Sequence, residues 1–447
     1  MKKLVLYFLI IITNFLNAQC WQKVSMGSHH ALAIKNDGSL WSWGANFYGQ
    51  LGDGTSVSKS SPVQIGFSQD WSVISAGAGH SMAIKNDGTL WAWGFNKFGQ
   101  LGDGTHTDKN IPTQIGQVKD WVFISANTYF SFAIKKDGTL WAWGINDKAQ
   151  LGDTLVYFRN TPTQVGTASN WKTINGCDEA AVALKTDGTI WAWGNNRFGQ
   201  LGNGTKNPRT FPSIVGVDKN WKELSCKVSH VITLKTDGTI WAWGENVYGQ
   251  LGDGSTIEKL IPTKVGIQSD WKFITADYGT SYAIKNNNTL WVWGSNLGNG
   301  SSVAIYKPIQ VTSIVNWKTI TSFLNSAAAL RNDGTLWSWG SNELGQLGDG
   351  TTEWRFSQVQ VNCPVTDADD FESDTSSDIF PNPAKDILYI NTANSFKEIK
   401  VFSINGIHHD VRIVKVNDQL MQLDVQNLLS GMYFITIGNE TKKWVKL

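Results

Sequence analysis

Seven copies of one tryptophan-bearing unit constrain this chain more than any other feature. The tetrapeptide Trp-x-Trp-Gly begins at Trp41, Trp91, Trp141, Trp191, Trp241, Trp291 and Trp337. A further tryptophan precedes each copy, at Trp21, Trp71, Trp121, Trp171, Trp221, Trp271 and Trp317. The spacing is 50 residues five times and then 46, and 21 of the 23 tryptophans fall in this register. A unit of this length cannot bury its own apolar face and needs neighbours, so a period near 50 reads as a propeller or solenoid.

Residues 71–120 show what one unit contains. WSVIS alternates, SMAIK follows, and LWAWG comes after the turn at Asp87-Gly88. Asp-Gly between apolar runs predicts a tight hairpin, because its turn needs positive φ. The glycine-punctuated GQLGDGT is a loop, and PTQIG is a short strand with its proline at the start, where a missing N–H costs little. Four short strands per repeat predict an all-β fold, a seven-bladed propeller of four-stranded blades. Each tryptophan buries roughly 150–250 Å², so three per unit can fill the space between flat sheets. GQLGDG is no phosphate loop, since no Lys-Ser/Thr follows it. Repeat 3 departs at Ala149 and Thr154, repeat 6 has lost four residues around SNLGNGSS, and its hairpin carries Asn287-Asn288, where asparagine tolerates the left-handed conformation.

The pattern GxxHxxAI…DGTLWAWGxN…GQLGDGT resembles the regulator of chromosome condensation repeat over about residues 21–362. The resemblance implies a seven-bladed propeller. The family's founding member exchanges guanine nucleotide on a small nuclear GTPase and binds chromatin. Its interaction residues lie in loops outside the motif, so the scaffold carries over and that activity does not.

The flanks carry addresses. Residues 1–18 combine two lysines, an apolar run from Leu4 to Ile12 and Ala18 before Gln19, which reads as a secretory signal peptide too short for a membrane span. The propeller is expected over residues 20–363 and an acidic linker over 364–378. Residues 379–447 alternate again and predict a small C-terminal β-sandwich. Its segments IFPNPAKDILYI, KEIKVFSINGI, LLSGMYFITI and KKWVKL resemble the type A sorting domain of the Bacteroidetes type IX secretion system. That resemblance implies engagement of the secretion machinery and a secreted or outer-surface destination.

The formal net charge is +1 with no basic run, so nucleic acid binding has no electrostatic footprint. Four cysteines in an exported chain suggest disulfides. Aligning the repeats sets Cys20 at the position of Asp70 and Cys363 at that of Phe67, so a closed ring brings them together. Cys177 and Cys226 fall one position apart in adjacent repeats, and bridge neighbouring blades or remain two buried thiols. No metal site or cofactor is expected, because no paired Cys/His spacing occurs.

No catalytic motif appears. His30, His80 and His230 share one repeat position, which points to a structural hydrogen bonder. Two loops vary against the constant scaffold. The first carries His29, His30, Tyr129, Phe130, Asp178, Glu179, Lys227, His230, Tyr278 and Phe323. The second, after GQLGDGT, carries Tyr157, Phe158, Arg159, Arg209, Tyr306, Trp354 and Arg355. Aromatic residues and arginine dominate interface hot spots. The expectation is a monomeric binding module for a protein or glycan ligand, not an enzyme. The alternative is an extracellular hydrolase or lyase with a carboxylate pair over the channel.

Overall fold

The computed structural model describes residues 20–154, 156–295, 303–311, 314–364, 378–380, 386–391, 399–403, 407–415, 420–437 and 440–446. The expected signal peptide at 1–18, most of the expected acidic linker and residues 296–302 lie outside them. No helix occurs among the described residues.

Each repeat folds into its own four-stranded antiparallel sheet, with strands in chain order. In blade 1 these are Trp21–Met26, His30–Lys35, Leu40–Gly44 and Lys59–Gln64. The first strand of every blade packs on the first strands of both neighbours, and blade 7 meets blade 1, so seven inner strands close a ring around a central channel. A bulge one residue after each repeat tryptophan, as at Trp21/Lys23, tilts the inner strand. Side chains then lock neighbouring inner strands: Ser25 Oγ accepts from the Ala76 N–H at 3.0 Å and Ser75 Oγ from the Ala126 N–H at 2.9 Å.

The tryptophans divide the packing between them. The first of each repeat is buried, and in blades 1–6 it meets the second edge-on, as Trp71 and Trp91 do at 5.8 Å. The third reaches back across the junction: the Trp93 indole N–H donates to the Gln50 carbonyl of blade 1 at 2.9 Å, and Trp143, Trp193, Trp243 and Trp293 repeat the bond. Trp339 follows the shortened repeat and bonds the Tyr282 hydroxyl instead. A lysine ending the second strand lays its ammonium over the inner pair, as Lys185 does 4.6 Å from Trp171 and 4.1 Å from Trp191. Among the described residues, the asparagine that follows Trp-Gly (Asn46, Asn96, Asn146, Asn196, Asn246 and Asn342) is buried and organises the glycine loop. Asn96 donates to Asp103 and accepts from the Leu101 N–H.

The hairpins behave as their sequence requires. Gly88 has φ +81°, and a Cβ there would lie 2.2 Å from the Lys119 carbonyl oxygen. Asn288 takes φ +64° and keeps the turn bond to the Lys285 carbonyl at 2.9 Å.

At the seam, Val359–Val361 pairs within blade 7, Val361 opposite Leu336, and among the described residues no strand pair crosses to blade 1. Val361 instead packs in one cluster with Trp21, Met26 and Phe323. The Trp21 N–H donates to the Gly334 carbonyl at 3.2 Å, and the Cys20–Cys363 disulfide bridges the chain ends with a Cα separation of 6.0 Å. Cys177 and Cys226 are also bonded, with Cα atoms 5.2 Å apart.

The chain divides at Pro364 into two compact units. The second is a sandwich of two antiparallel four-stranded sheets. One orders Asp378–Phe380, Ile387–Asn391, Leu420–Asp424 and Arg412–Lys415; the other orders His408–His409, Ile399–Ser403, Gly431–Ile437 and Glu440–Lys446. Leu388, Ile390, Val401, Leu423, Tyr433, Ile435 and Trp444 fill its core.

Candidate binding face

Both variable loops lie on one face of the disc. The loop between the first two strands and the residue after Trp-Gly are stitched together in every blade. The Ala45 N–H donates to the His29 carbonyl at 2.7 Å, Phe95 to Gly79, Ile145 to Tyr129, Asn195 to Glu179 and Glu245 to Ser229. The opposite face carries the Asp-Gly hairpins.

The inner loops of all seven blades converge on one cavity of about 390 Å³ at the channel mouth. His29, Tyr129, Asp178, Tyr278 and Phe323 line it, beside Tyr48, Phe95, Ser28, Val228 and Leu324. Tyr48 meets Phe95 at 4.7 Å, Phe95 meets Tyr129 at 6.0 Å, and Phe98 backs Tyr129 at 5.1 Å. On the far side Tyr248 and Tyr278 lie 6.2 Å apart.

Charge is sparse in the lining and crowded just behind it. Burial lowers the His29 proton affinity, opposed by Glu343. Burial raises the Asp178 carboxyl, helped by Glu179 and Asp147. Glu179 accepts from the Asn195 amide at 2.7 Å, and Asp147 pairs with Lys148 at 3.0 Å. Beside the cavity, Lys227 holds its ammonium 4.5 Å from the Phe323 ring centre. Burial pushes Lys227 down to about 8, opposed by Asp277. Asp277 is buried, accepts from the Tyr278 and Asn325 N–H groups, and is pushed up to about 7 by that burial. Asp178 stands at φ +54° directly after Cys177, and its N–H donates to the Lys227 carbonyl at 3.0 Å. The Cys177–Cys226 bond therefore fixes the two loops that carry Asp178 and Lys227.

Other candidates have different places. His30, Phe130 and His230 are fully buried and offer nothing to a ligand. His30 Nε2 lies 2.9 Å from Ser81 Oγ, and Ser81 donates to the Gln50 carbonyl, so His30 is the donor across the blade junction. His80–Ser131 and His230–Ser281 repeat the bridge. Arg159 and Arg355 open the fourth strands and pair with Asp153 and Asp349 inside their own glycine loops. Lys109–Asp103 and Lys259–Asp253 occupy the same repeat position, so these arginines are scaffold rather than free anchors. Arg209 is exposed, because Asn203 stands where five of the loops have aspartate. Tyr157 and Phe158 are exposed on blade 3, Tyr306 on blade 6 and Trp354 on blade 7. Tyr157 lines a second cavity of about 540 Å³ with Ala149, Pro208 and Thr210. Phe158 packs on His106, and Trp354 on Phe356.

Tyr48 and Phe95 were not singled out by the sequence reading. Position 95 varies freely among repeats (Ala45, Ile145, Asn195, Glu245), and that variation is the signal that sets it apart from the constant scaffold. Among the described residues, no group of three or more His, Cys, Asp or Glu side chains converges as a metal site.

The RCC1-like domain model matches residues 122–372, and models of the regulator of chromosome condensation repeat match 37–84, 87–134, 21–50 and 71–100. A secretion system C-terminal sorting domain matches 378–447. The ultraviolet-B receptor UVR8 of Arabidopsis thaliana is 42% identical over 48 residues, a stretch that spans 11% of either protein. Among solved structures, human WBSCR16 aligns with a TM-score of 0.66 at 20% identity, covering 72% of this chain and 92% of that one. Prp20p from Saccharomyces cerevisiae aligns at 0.61 and 21%, covering 67% and 80%. These likenesses show the fold. The family match covers more than half of the sequence, and the chain belongs to the RCC1-like domain family, here joined to a type IX sorting domain.

Proposed function

We propose that this member of the RCC1-like domain family is an exported binding module that holds a protein or glycan ligand at the loop-face mouth of its channel. One observation carries the reading. Loops from all seven blades, the most variable parts of the repeat, line a single aromatic cavity on a rigid ring. A closed ring with tryptophan-filled junctions has little freedom to lose on binding, which favours a preorganised platform. Residues 1–18 act as the signal peptide, residues 20–363 form the binding ring, 364–378 link it, and 379–447 address it to the secretion machinery. The ring works as a monomer, without cofactor or metal, outside the cell or on its outer surface.

The export half is tested by intact mass. The extracellular form from the native host should begin at Gln19 and lack the sorting domain. An unprocessed intracellular chain would refute it. The binding half is tested by capture from the host's extracellular medium. Ligand retained by the exported protein should be lost with Tyr129→Ala and kept with Lys136→Ala on the hairpin face. Equal retention by both variants removes the loop face as the site.

The hydrolase or lyase reading finds its support in Asp178, whose proton affinity is raised beside Glu179 and Asp147. The cavity lining itself carries one carboxylate, Asp178, rather than a facing pair.

A further inference from the structure

We propose that the channel-mouth cavity is a cation site, an aromatic cup that takes the ammonium or guanidinium group of a lysine- or arginine-bearing peptide segment. The inference rests on the loop-face reading and names its ligand. Tyr48, Phe95 and Tyr129 wall the cavity from blades 1–3, and Tyr278 and Phe323 from blades 6 and 7. Asp178, on blade 4, is the one lining side chain with a formal charge, since burial favours the neutral form of His29.

Ring faces carry negative quadrupoles and attract cations within about 6 Å. An anion entering the cup meets the Asp178 carboxylate, and the nearest cation, Lys227 at the edge, is already engaged by the Phe323 ring and Asp277. A neutral sugar gains ring stacking but leaves Asp178 without a counter-charge. A cation with an apolar stem uses both.

The site already contains an example of the contact. Lys227 lays its own ammonium over Phe323 at the edge of the cup, with the buried Asp277 as its counter-charge. Asp178 is fixed in the left-handed conformation by its bond to the Lys227 backbone and by the adjoining disulfide, so its backbone needs no ordering on binding. Behind it, Glu179 and Asp147 crowd further negative charge toward the same place, and Lys148 on the rim is held by Asp147. An incoming cation relieves that crowding. The volume, about 390 Å³, suits one long basic side chain with its flanking backbone. A hard metal ion is a poor match, because it demands several oxygen ligands and the lining supplies one carboxylate.

The test titrates the full exported protein by calorimetry with tetralysine, tetraglutamate, maltotetraose and spermine. Tetralysine should bind saturably, and tetraglutamate and maltotetraose should not. Asp178→Asn and Phe95→Leu should each weaken tetralysine about tenfold. Tyr129→Phe, which keeps the ring, should bind as the parent does. Unchanged thermal midpoints in these variants separate lost binding from lost folding. Tetralysine binding that ignores both Asp178→Asn and Phe95→Leu overturns the site. Spermine binding without tetralysine binding overturns the peptide. If natural ligand is captured and lost with Tyr129→Ala while tetralysine fails to bind, the cation inference falls and the loop-face reading stands.

Discussion

The junction between blades 1 and 2 and the seam between blades 7 and 1 bury the same kinds of tryptophan, yet they are cross-linked by different chemistry. Across the first, His30 donates to Ser81 in a buried bridge. At the seam the corresponding residues are Ser326 and Ala31, which build no such bridge, and a disulfide joins Cys20 to Cys363. The pattern extends round the ring. Histidine bridges hold junctions 1/2, 2/3 and 5/6. Disulfides hold 7/1 and 4/5, where Ala180 and Val231 replace the pair. Among the described residues, no junction has both. A repeat architecture thus keeps one packing solution and adds two kinds of reinforcement, one sensitive to protons and one to reductant. The covalent kind sits at the seam, the one junction with no chain passing through it.

The sharpest way to break this comparison is to cut the seam. A cross-link over a sequence separation of 343 contributes at most about 6 kcal/mol by the chain-entropy estimate, and one over 49 about 4. Cys20→Ser should therefore lower the unfolding midpoint more than the Cys177→Ser/Cys226→Ser pair. Both differences should vanish under full reduction. Cys363 is exposed while Cys177 and Cys226 are buried, so graded reductant followed by alkylation and peptide mapping should label Cys20 and Cys363 first. Labelling of the inner pair first would show that the seam is the better protected junction.

The second disulfide sharpens the contrast in function. Cys177 and Cys226 each precede a charged residue of the binding face, Asp178 and Lys227. Replacing both by serine should free these loops and weaken ligand capture several-fold, whereas Cys20→Ser at the opposite face should leave capture unchanged in protein that remains folded. Equal loss in both variants would mean that the loops need no covalent hold.

The seven-fold architecture was legible because its signals are local and repeated: Asp-Gly turns, Trp-x-Trp-Gly and constant spacing. The seam disulfide was legible because internal alignment places Cys20 and Cys363 three residues apart in an intact junction. The binding face was legible only in part. Tyr48 shares its position with Phe98, Phe198 and Tyr248, and such recurrence reads as packing, although the position borders the channel mouth. Arg159 and Arg355 misled in the opposite direction. They look like variable loop anchors, but their partners Asp153 and Asp349 lie six residues upstream in the constant loop, and only folding brings them together. The burial of His30, Phe130 and His230 follows from the closed ring, which presses their strand against the next blade.

The histidine junctions should respond to acid. Burial depresses His30, His80 and His230 to about 3, so their neutral state stabilises the fold above the ordinary value near 6.5 and that contribution is lost as pH falls toward 3. Glu223 and Asp277 act with the opposite sign. Burial raises both to about 7, so their stabilising contribution is full below the usual carboxyl range and is lost as pH rises toward 7. Between about pH 4.5 and 6.5, the unfolded chain binds three histidine protons that the native ring excludes, and the native ring binds two carboxyl protons that the unfolded chain releases. Across these five groups the net is one proton, or about 1.4 kcal/mol lost per unit of acidification, and His29 (lowered) and Asp178 (raised) add to opposite sides of that balance. Denaturant midpoints at pH 6.5 and 5 measure the slope. His80→Gln keeps a donor for Ser131 and removes one titrating group, so the slope should flatten in that window. An unchanged slope would assign the acid response to other groups.

The smallest effect concerns junction 3/4, where Phe130 faces Ala181 and neither reinforcement is present. Ala149 there occupies the position of Gly49, Gly99, Gly199, Gly249 and Gly345, whose φ values lie between 73° and 77°. It keeps their backbone bonds, with Gly152 donating to its carbonyl at 3.0 Å, and so is held at φ 60°. A left-handed alanine costs roughly 1–2 kcal/mol over glycine. Space is a second cost. A Cβ at Gly99 would lie 2.6 Å from the Asn160 Cα of the next blade, and one at Gly49 would lie 2.5 Å from the Asn110 Cα. The real Cβ of Ala149 must keep Thr210, the equivalent residue, at a greater distance, and a cavity of about 540 Å³ lies against both. Ala149→Gly should remove the strain and let blade 4 approach. The more flexible unfolded chain offsets part of that gain, leaving about 0.5–1 kcal/mol of added stability. The reverse change, Gly99→Ala, should destabilise by more, because junction 2/3 is already closed by His80–Ser131 and the added methyl group would meet the Asn160 backbone directly. Denaturant midpoints of the two variants decide the matter: a loss in Ala149→Gly, or no loss in Gly99→Ala, would separate the opening at junction 3/4 from the alanine that stands beside it.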